Sequence, residues 1–471
     1  MIYNQPTRQP STTGRQPYHR PPSFIGLIVL VLALPLTALL GTLDLPTTQS
    51  VQATAVIREF TLGLSGQGRP IEVVQVGNGE RKLVVVGNTH GGPEANTYYL
   101  TWELIDHFRA NPDEVPPEVR LYFIPSLNPD GLALGSRFDA AGIDLNRNMN
   151  TTFDGCPETD WRTTVYGAYG IISDTGGPFA DSQVETRLIR SFLLDASGAI
   201  FLHSNAGLVF PAYCEHEPSI AMAQVYAQAA GYLYNRYWPN YMITGGMHDW
   251  AASLGIASIT PELITATETE FTNNLAGLRA VLAQPEELLP LPADQVEGDV
   301  LIPARIWRYW RSHGGESVFG LPLEPAQATP GGLTQTFTHA RLQLDESLAD
   351  TPFLVQPALL GSEQAQLHGT DLPGALPCVD APGLCPLSTT ILFGAFLDYW
   401  QRNGGIHVFG APLSTEFTAL TADGHYRTVQ YFERAIFAYY PEDGSVRPEP
   451  LGWQQMLTEG IQSRWVAPQI R

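Results

Sequence analysis

Residues 59–288 predict an α/β domain, a sheet covered by helices on both faces. Short β-branched runs alternate there with longer amphipathic stretches, and several runs end at glycine. A second observation concerns residues 304–471, where residue pairs recur at a fixed spacing and predict two small repeat modules. The third is composition: 471 residues, 44% of them apolar, suit a folded chain of about three domains. The 26 Lys+Arg stand against 47 Asp+Glu, a formal charge of −21. That surplus argues against a nucleic-acid partner, because phosphate binding needs clustered cations.

Taken in order, residues 1–23 hold Arg8, Arg15 and Arg20 and no acid, and read as a cytoplasmic basic segment. Phe24 to Leu43 runs for 20 residues without a charge, long enough to span a bilayer as an anchor with its N-terminus inside. A secretory signal peptide cleaved near Ala53 is the alternative. Either way the remainder is exported, on the extracellular face of the membrane or secreted. Residues 44–58 read as a linker. Ile71–Val76, Lys82–Val86, Val119–Pro125, Ala199–Leu202 and Ala257–Thr260 read as strands. Tyr98–Phe108, Val184–Leu194, Ser219–Tyr232 and Phe271–Leu282 have helical spacing.

The Pro-rich stretch 289–303 reads as a second linker, followed by module 1 (304–377) and module 2 (378–471). Tyr309-Trp310, Gly314-Gly315, Phe319-Gly320 and Pro322-Leu323 recur 90 residues later as Tyr399-Trp400, Gly404-Gly405, Phe409-Gly410 and Pro412-Leu413. Trp307, Trp310, Tyr399 and Trp400 read as core residues, since buried aromatics are commoner than ligand platforms. These modules resemble the Phe-Gly-Pro type repeats found beside exported bacterial hydrolases, which implies contact with the cell wall. Four cysteines without CxxC spacing suggest two disulfides outside the cytoplasm. Cys378 and Cys385 would close a short loop and leave Cys156 with Cys214; four free thiols is the other reading.

Chemistry-bearing residues gather in four segments. The first is Asn88-Thr-His90-Gly-Gly-Pro-Glu94, after a strand. Nitrogen and carboxylate at such a place suit zinc, although a lone His there is more often a packing residue. The second is Asn128-Pro-Asp130-Gly131, then Arg137 and Gly142-Ile-Asp144-Leu-Asn146-Arg147-Asn148, whose guanidinium groups suit a carboxylate. Its bland reading is a structural Asp144–Arg147 pair. The third is His203-Ser204 at another strand end. The fourth is Tyr241, Asp249-Trp250 and Glu262-Leu263, with an acid placed to act as a base.

This ordered set resembles the zinc carboxypeptidase A/B family over residues 56–285, about half the chain. The resemblance implies a mixed, mainly parallel sheet between helices. It implies one zinc ion on His90, Glu94 and His203, with Glu262 as general base and Arg137 stabilising the oxyanion. Asn146, Arg147 and Tyr241 would hold the substrate's C-terminal carboxylate. His248, just before Asp249-Trp250, would lie in the side-chain pocket and meet an acidic or polar group. The sequence departs from the family in one place: three residues separate His90 from Glu94, one more than usual, an insertion the Gly91-Gly92 turn can absorb.

The function implied is an exported zinc metallocarboxypeptidase, a membrane-anchored or secreted hydrolase that cleaves the C-terminal bond of peptides with zinc-activated water. The alternatives are a zinc amidohydrolase acting on cell-wall stem peptides or N-acyl amino acids, and a catalytically dead peptide-binding homologue. The complete residue set speaks against the last. A serine hydrolase is disfavoured, since no G-x-S-x-G stands near a candidate His and Asp.

Overall fold

β-Branched and aromatic runs lie side by side in a computed structural model that describes residues 56–167, 170–375 and 391–466. Residues 1–43, most of the 44–58 stretch, Cys378 and Cys385 lie outside the described residues. Among those described, no helix is long and apolar enough to cross a membrane. Phe24–Leu43 is not among them.

The first half of the described chain begins with β1 (Ile57–Leu64), β2 (Pro70–Gly77), β3 (Arg81–Val86), α1 (Ala95–Ala110), β4 (Val119–Ile124) and α2 (Pro129–Leu134). A two-residue hairpin follows, β5 (Val165–Tyr166) with β6 (Ile172–Ser173), then α3 (Val184–Phe192), β7 (Ala196–Phe201), β8 (His203–Ser204) and β9 (Leu208–Pro211). The half closes with α4 (Glu217–Ala230), β10 (Leu233–Tyr234), α5 (Met247–Ser253), β11 (Ala257–Leu263), α6 (Phe271–Leu282) and α7 (Pro285–Leu288).

The strands form one sheet in the order β1-β2-β4-β3-β7-β11-β9-β10, with β8 paired to β11. β3 runs parallel to β4 and β7, and β11 parallel to β7 and β8, so the centre is parallel. β1–β2, β2–β4 and β11–β9 are antiparallel. The mixed, mainly parallel sheet is therefore as the family resemblance implies. Every residue of β7 is buried, as expected of a central strand covered on both faces. One face packs Leu100, Leu104 and Phe108 of α1 with Met222 and Tyr226 of α4 and Leu278 of α6. The other packs Ile189 and Phe192 of α3 with Met247 and Trp250 of α5. Cys156 and Cys214 form a disulfide across two loops, 58 residues apart in sequence.

Within 289–303, β12 (Gln295–Glu297) pairs antiparallel with β13 (Val300–Ile302). Then come α8 (Ala304–Ser312), α9 (Gly315–Phe319), a sheet of β14 (Gln327–Thr329), β15 (Gly332–Thr336), β16 (Arg341–Asp345) and β17 (Val355–Pro357), and α10 (Leu360–His368). The plan returns as α11 (Gly394–Arg402), α12 (Gly405–Phe409), a sheet of β18 (Phe417–Leu420), β19 (Tyr426–Tyr431), β20 (Ile436–Tyr440) and β21 (Ser445–Pro448), and α13 (Leu451–Val466).

The repeated residues explain the repeated shape. Trp310 Nε1 donates to the Gly320 carbonyl at 2.9 Å, and Trp400 Nε1 to that of Gly410 at 3.0 Å. Gly314 and Gly404 turn the chain at φ 102° and 107°, where a side chain would be strained. Trp310 and Trp400 are buried in one cluster, with Trp307 and Tyr399 packed against it. The helices that follow each sheet change partners. Ser362 N of α10 donates to Glu433 O in module 2, while Trp453 N of α13 donates to Thr338 O in module 1.

Candidate active site

Three parallel strands, β3, β7 and β11, deliver the chemistry at or just beyond their carboxyl ends. His90 follows β3, His203 stands in β8 directly after β7, and Glu262 in β11 is opposite His203 in register. Crossover chains must leave a parallel sheet at that edge, so loops and exposed side chains converge there.

His90 Nδ1 lies 2.7 Å from Glu94 Oε1, and His203 Nδ1 lies 2.9 Å from Glu94 Oε2. The two Nδ1 atoms are 3.1 Å apart. One ligand atom from each of the three residues falls within 4.8 Å of the others, and all three residues are buried. Two imidazole nitrogens and a carboxylate converging in this way fit one zinc ion with a further position open. The other nitrogen of His90, Nε2, faces Asp144 Oδ1 at 3.0 Å, the kind of carboxylate contact that orients a metal-binding imidazole.

The widened His90–Glu94 spacing is taken up locally. Gly91 has φ 39°, and Cβ atoms on Gly91 and Gly92 would lie 2.0 Å from Ser136 O and 2.4 Å from the Gly135 backbone. Gly92 N donates to Ser136 O at 2.9 Å. Two side-chain-free residues thus press against the turn after α2, and Gly92–Glu94 forms a single 3-10 turn that brings Glu94 to the histidines.

Around this centre stand the remaining residues. Arg137 donates from Nε to Asp144 Oδ2 at 3.0 Å and from Nη1 to Glu94 Oε1 at 3.1 Å. Arg147 is buried, donating to Tyr166 O at 2.9 Å and Asn146 O at 2.7 Å, with its guanidinium 5.8 Å from the Tyr241 ring centre. Asn146 Oδ1 accepts from Met247 N at 2.9 Å, and its Nδ2 lies 3.5 Å from His203 Nε2. Tyr241 stacks on Tyr166 and meets Trp238 edge-on. His90, Glu94, Arg137, Asn146, Arg147, His203, Tyr241 and Glu262 line one cavity of about 610 Å³. His248 does not line it. It lines an adjoining cavity with Asp249.

Burial and charge act against each other here. Burial opposes ionisation of Glu94, but His90 and His203 outweigh it and hold the carboxyl far below its usual range. Burial pushes His203 down to about 4, which keeps it the neutral imidazole a metal requires, although Glu94 pulls the other way. Burial, with Glu94 beside it, pushes Glu262 up to about 8 against the pull of Arg137 and Arg147. Asp144 is buried too, yet Arg137, His90 and Arg147 hold it well below the carboxylate range.

Asp144, Tyr166 and Trp238 are additions to the residues singled out from sequence. Asp144 sat within a recognised motif whose bland reading was a structural pair with Arg147; Arg147 N does donate to the Asp144 carbonyl, while the carboxylate bonds Arg137 and His90. Tyr166 and Trp238 carry no local signal, because only the folding of the loops brings them to the site.

Residues 49–277, just under half the chain, match the family model Peptidase_M14, described as zinc carboxypeptidase. The His-Glu-His group lies within the matched residues. The chain is similar to carboxypeptidase SOL1 of Arabidopsis thaliana, 28% identical over 114 residues, 22% of this chain and 23% of that one. It is similar to carboxypeptidase B of Astacus astacus, 26% identical over 176 residues, 33% of this chain and 54% of that one. The matches thus span about a quarter and about half of these relatives. Among solved structures, thrombin activatable fibrinolysis inhibitor matches with 17% identity and a TM-score of 0.42, over 48% of this chain and 68% of that one.

Proposed function

We propose that the protein is an exported zinc metallocarboxypeptidase that removes the C-terminal residue of peptides carrying a free carboxylate. The observation behind this reading is the single cavity of about 610 Å³ that gathers two imidazoles, two carboxylates and two guanidinium groups. Zinc held by His90, Glu94 and His203 would supply a Lewis acid able to polarise a carbonyl and acidify water. Glu262, which burial and the neighbouring Glu94 push up to about 8, takes the proton of the attacking water and passes it to the leaving nitrogen. Arg137 stands next to Glu94, where it can donate to the oxygen that gains charge as the bond breaks. Arg147 and Asn146 grip the terminal carboxylate, and Tyr241 closes over it. His248 meets the terminal side chain. Export fits the disulfide and the uncharged Phe24–Leu43 stretch, which would anchor the protein in the membrane, and the modules would then face the cell wall.

The decisive experiment pairs metal analysis with turnover. Protein from residue 56 onward should hold one zinc per chain and lose it on His203→Ala. Glu262→Gln should keep zinc and thermal stability yet lose turnover of blocked dipeptides by roughly 10²–10⁴-fold. Activity within about tenfold of the parent would remove Glu262 from the base role.

A further inference from the structure

We propose that the cavity next to Tyr241 receives the side chain of the terminal residue and selects side chains tipped with a hydrogen-bond donor. This rests on the carboxypeptidase reading above and adds the substrate class. The cavity measures about 180 Å³ and shares Phe210, Trp238, Asn240, Tyr241 and Ile243 with the larger one that holds the His-Glu-His group. A side chain leaving a residue clamped beside Tyr241 therefore has this one adjoining room to enter. Its aromatic walls suit a flat ring or a slender apolar stem.

Its base is not apolar. His248 and Asp249, in the first turn of α5, line it. Asp249 Oδ1 accepts from Tyr213 N at 2.7 Å, but Oδ2 is buried with no hydrogen-bond partner, and so is Nδ1 of His248. The Nε2 atom of His248 is 3.4 Å from Asp249 Oδ2 without bonding it. Asp249 Oδ2, a buried acceptor left unbonded, costs free energy until a donor reaches it.

Gly246 packs closely against His248 and Asp249. Its φ of −76° suits any residue, so conformation does not demand glycine there. A Cβ at this position would lie 2.9 Å from His248 Cε1, 3.0 Å from Ile243 Cγ2 and 3.2 Å from Asp249 Oδ2.

A phenol or an ammonium group satisfies such a base, and the ring faces add attraction for the cation. A carboxylate is rejected by Asp249, so the acidic terminal residue that His248 alone would suggest is disfavoured. The test uses the zinc-loaded protein and one series of N-blocked dipeptides ending in Tyr, Phe, Lys, norleucine or Glu, scored by kcat/KM. Tyr should exceed Phe, or Lys exceed norleucine, by at least about tenfold, since a site built for a donor penalises its absence. The larger of the two ratios tells phenol from ammonium. Asp249→Asn, close in shape, should shrink that ratio. Phe equal to Tyr together with norleucine equal to Lys overturns the proposal, as does a preference for Glu. If no dipeptide is cleaved, the carboxypeptidase reading has failed, and calorimetric affinities of the same peptides decide the pocket alone. Equal affinities within each pair would overturn it.

Discussion

His90 and His203 in the first half of the described chain are buried against carboxylates, Glu94 and Asp144. His313 and His407 in the modules are buried or partly so among arginines: Arg190 near His313, and Arg187, Arg190 and Arg434 near His407. Arginines show the same split. Arg308 of α8 donates to four catalytic-domain carbonyls, those of Leu254, Leu194, Ala196 and Gly255. Arg147, equally buried, donates to two carbonyls and lines the open cavity. Burial alone therefore does not mark a functional residue. What separates the halves is whether polar groups are used up by their neighbours or left facing a space that a ligand can fill.

The largest test of that contrast is Arg308→Met. Loss of the guanidinium strips donors from three buried carbonyls and a fourth at the surface, between module 1 and the sheet, at a cost of about 2–4 kcal/mol. The apparent Tm should fall by several degrees while zinc content and KM of the intact protein stay unchanged. An unaltered Tm would mean that Arg308 is not docking the module, and a lost zinc would mean that the two halves are not separable in this way.

Arg308 also shows how far sequence reading reaches. The repeat places Asp398 at the equivalent position, 90 residues on, where it is exposed and paired with Arg402 at 2.7 Å. Identical residues in the two modules, such as Trp310 and Trp400, report the shared core. The position at which they differ reports what only one module touches, and that surface is invisible until the domains are placed together. The sheet was legible because its buried central strands are continuous apolar runs. Edge strand β1 was hidden because its residues are mostly exposed and mixed with polar ones. The site residues were legible because they sit in short ordered motifs at strand ends. The bond from Arg147 to Tyr166 O was not, because a two-residue hairpin strand has no pattern of its own.

A smaller effect sharpens the open side of the comparison. If Arg147 holds the terminal carboxylate, amidating the substrate should cost about ten- to a hundred-fold in kcat/KM, the worth of one charged hydrogen bond. Arg147→Ala should lose the same on the free acid and little more on the amide, so the two changes are not additive. Additive losses would show that the guanidinium and the carboxylate do not meet.

The smallest expected effect concerns the filled side, and the repeat supplies the control. His313 Nδ1 is 2.8 Å from Tyr309 O, and Asn403 Nδ2 of the second module donates to Tyr399 O at the same 2.8 Å. His313→Asn therefore keeps the bond and removes the titrating ring. Burial first, then Arg190 and His407, holds the His313 pKa well below its ordinary value, although the Tyr309 carbonyl pulls upward. Ser312 Oγ, 3.1 Å away, is its other polar neighbour. The unfolded chain takes up this proton near pH 6.5, whereas the folded chain does so only at much lower pH. Between those values the unfolded state binds more protons, so stability rises with pH and is lost as pH falls below about 6.5. One such histidine contributes at most about 1.4 kcal/mol per pH unit across that window. Measuring in the presence of zinc, which the proposed His90–Glu94–His203 site would bind with both imidazoles deprotonated, keeps those histidines out of the measurement. Urea midpoints between pH 7 and 5 should then fall less steeply for His313→Asn than for the parent. Parallel slopes would mean that His313 is already protonated in the fold, and that the modules bury a charge as the first half does.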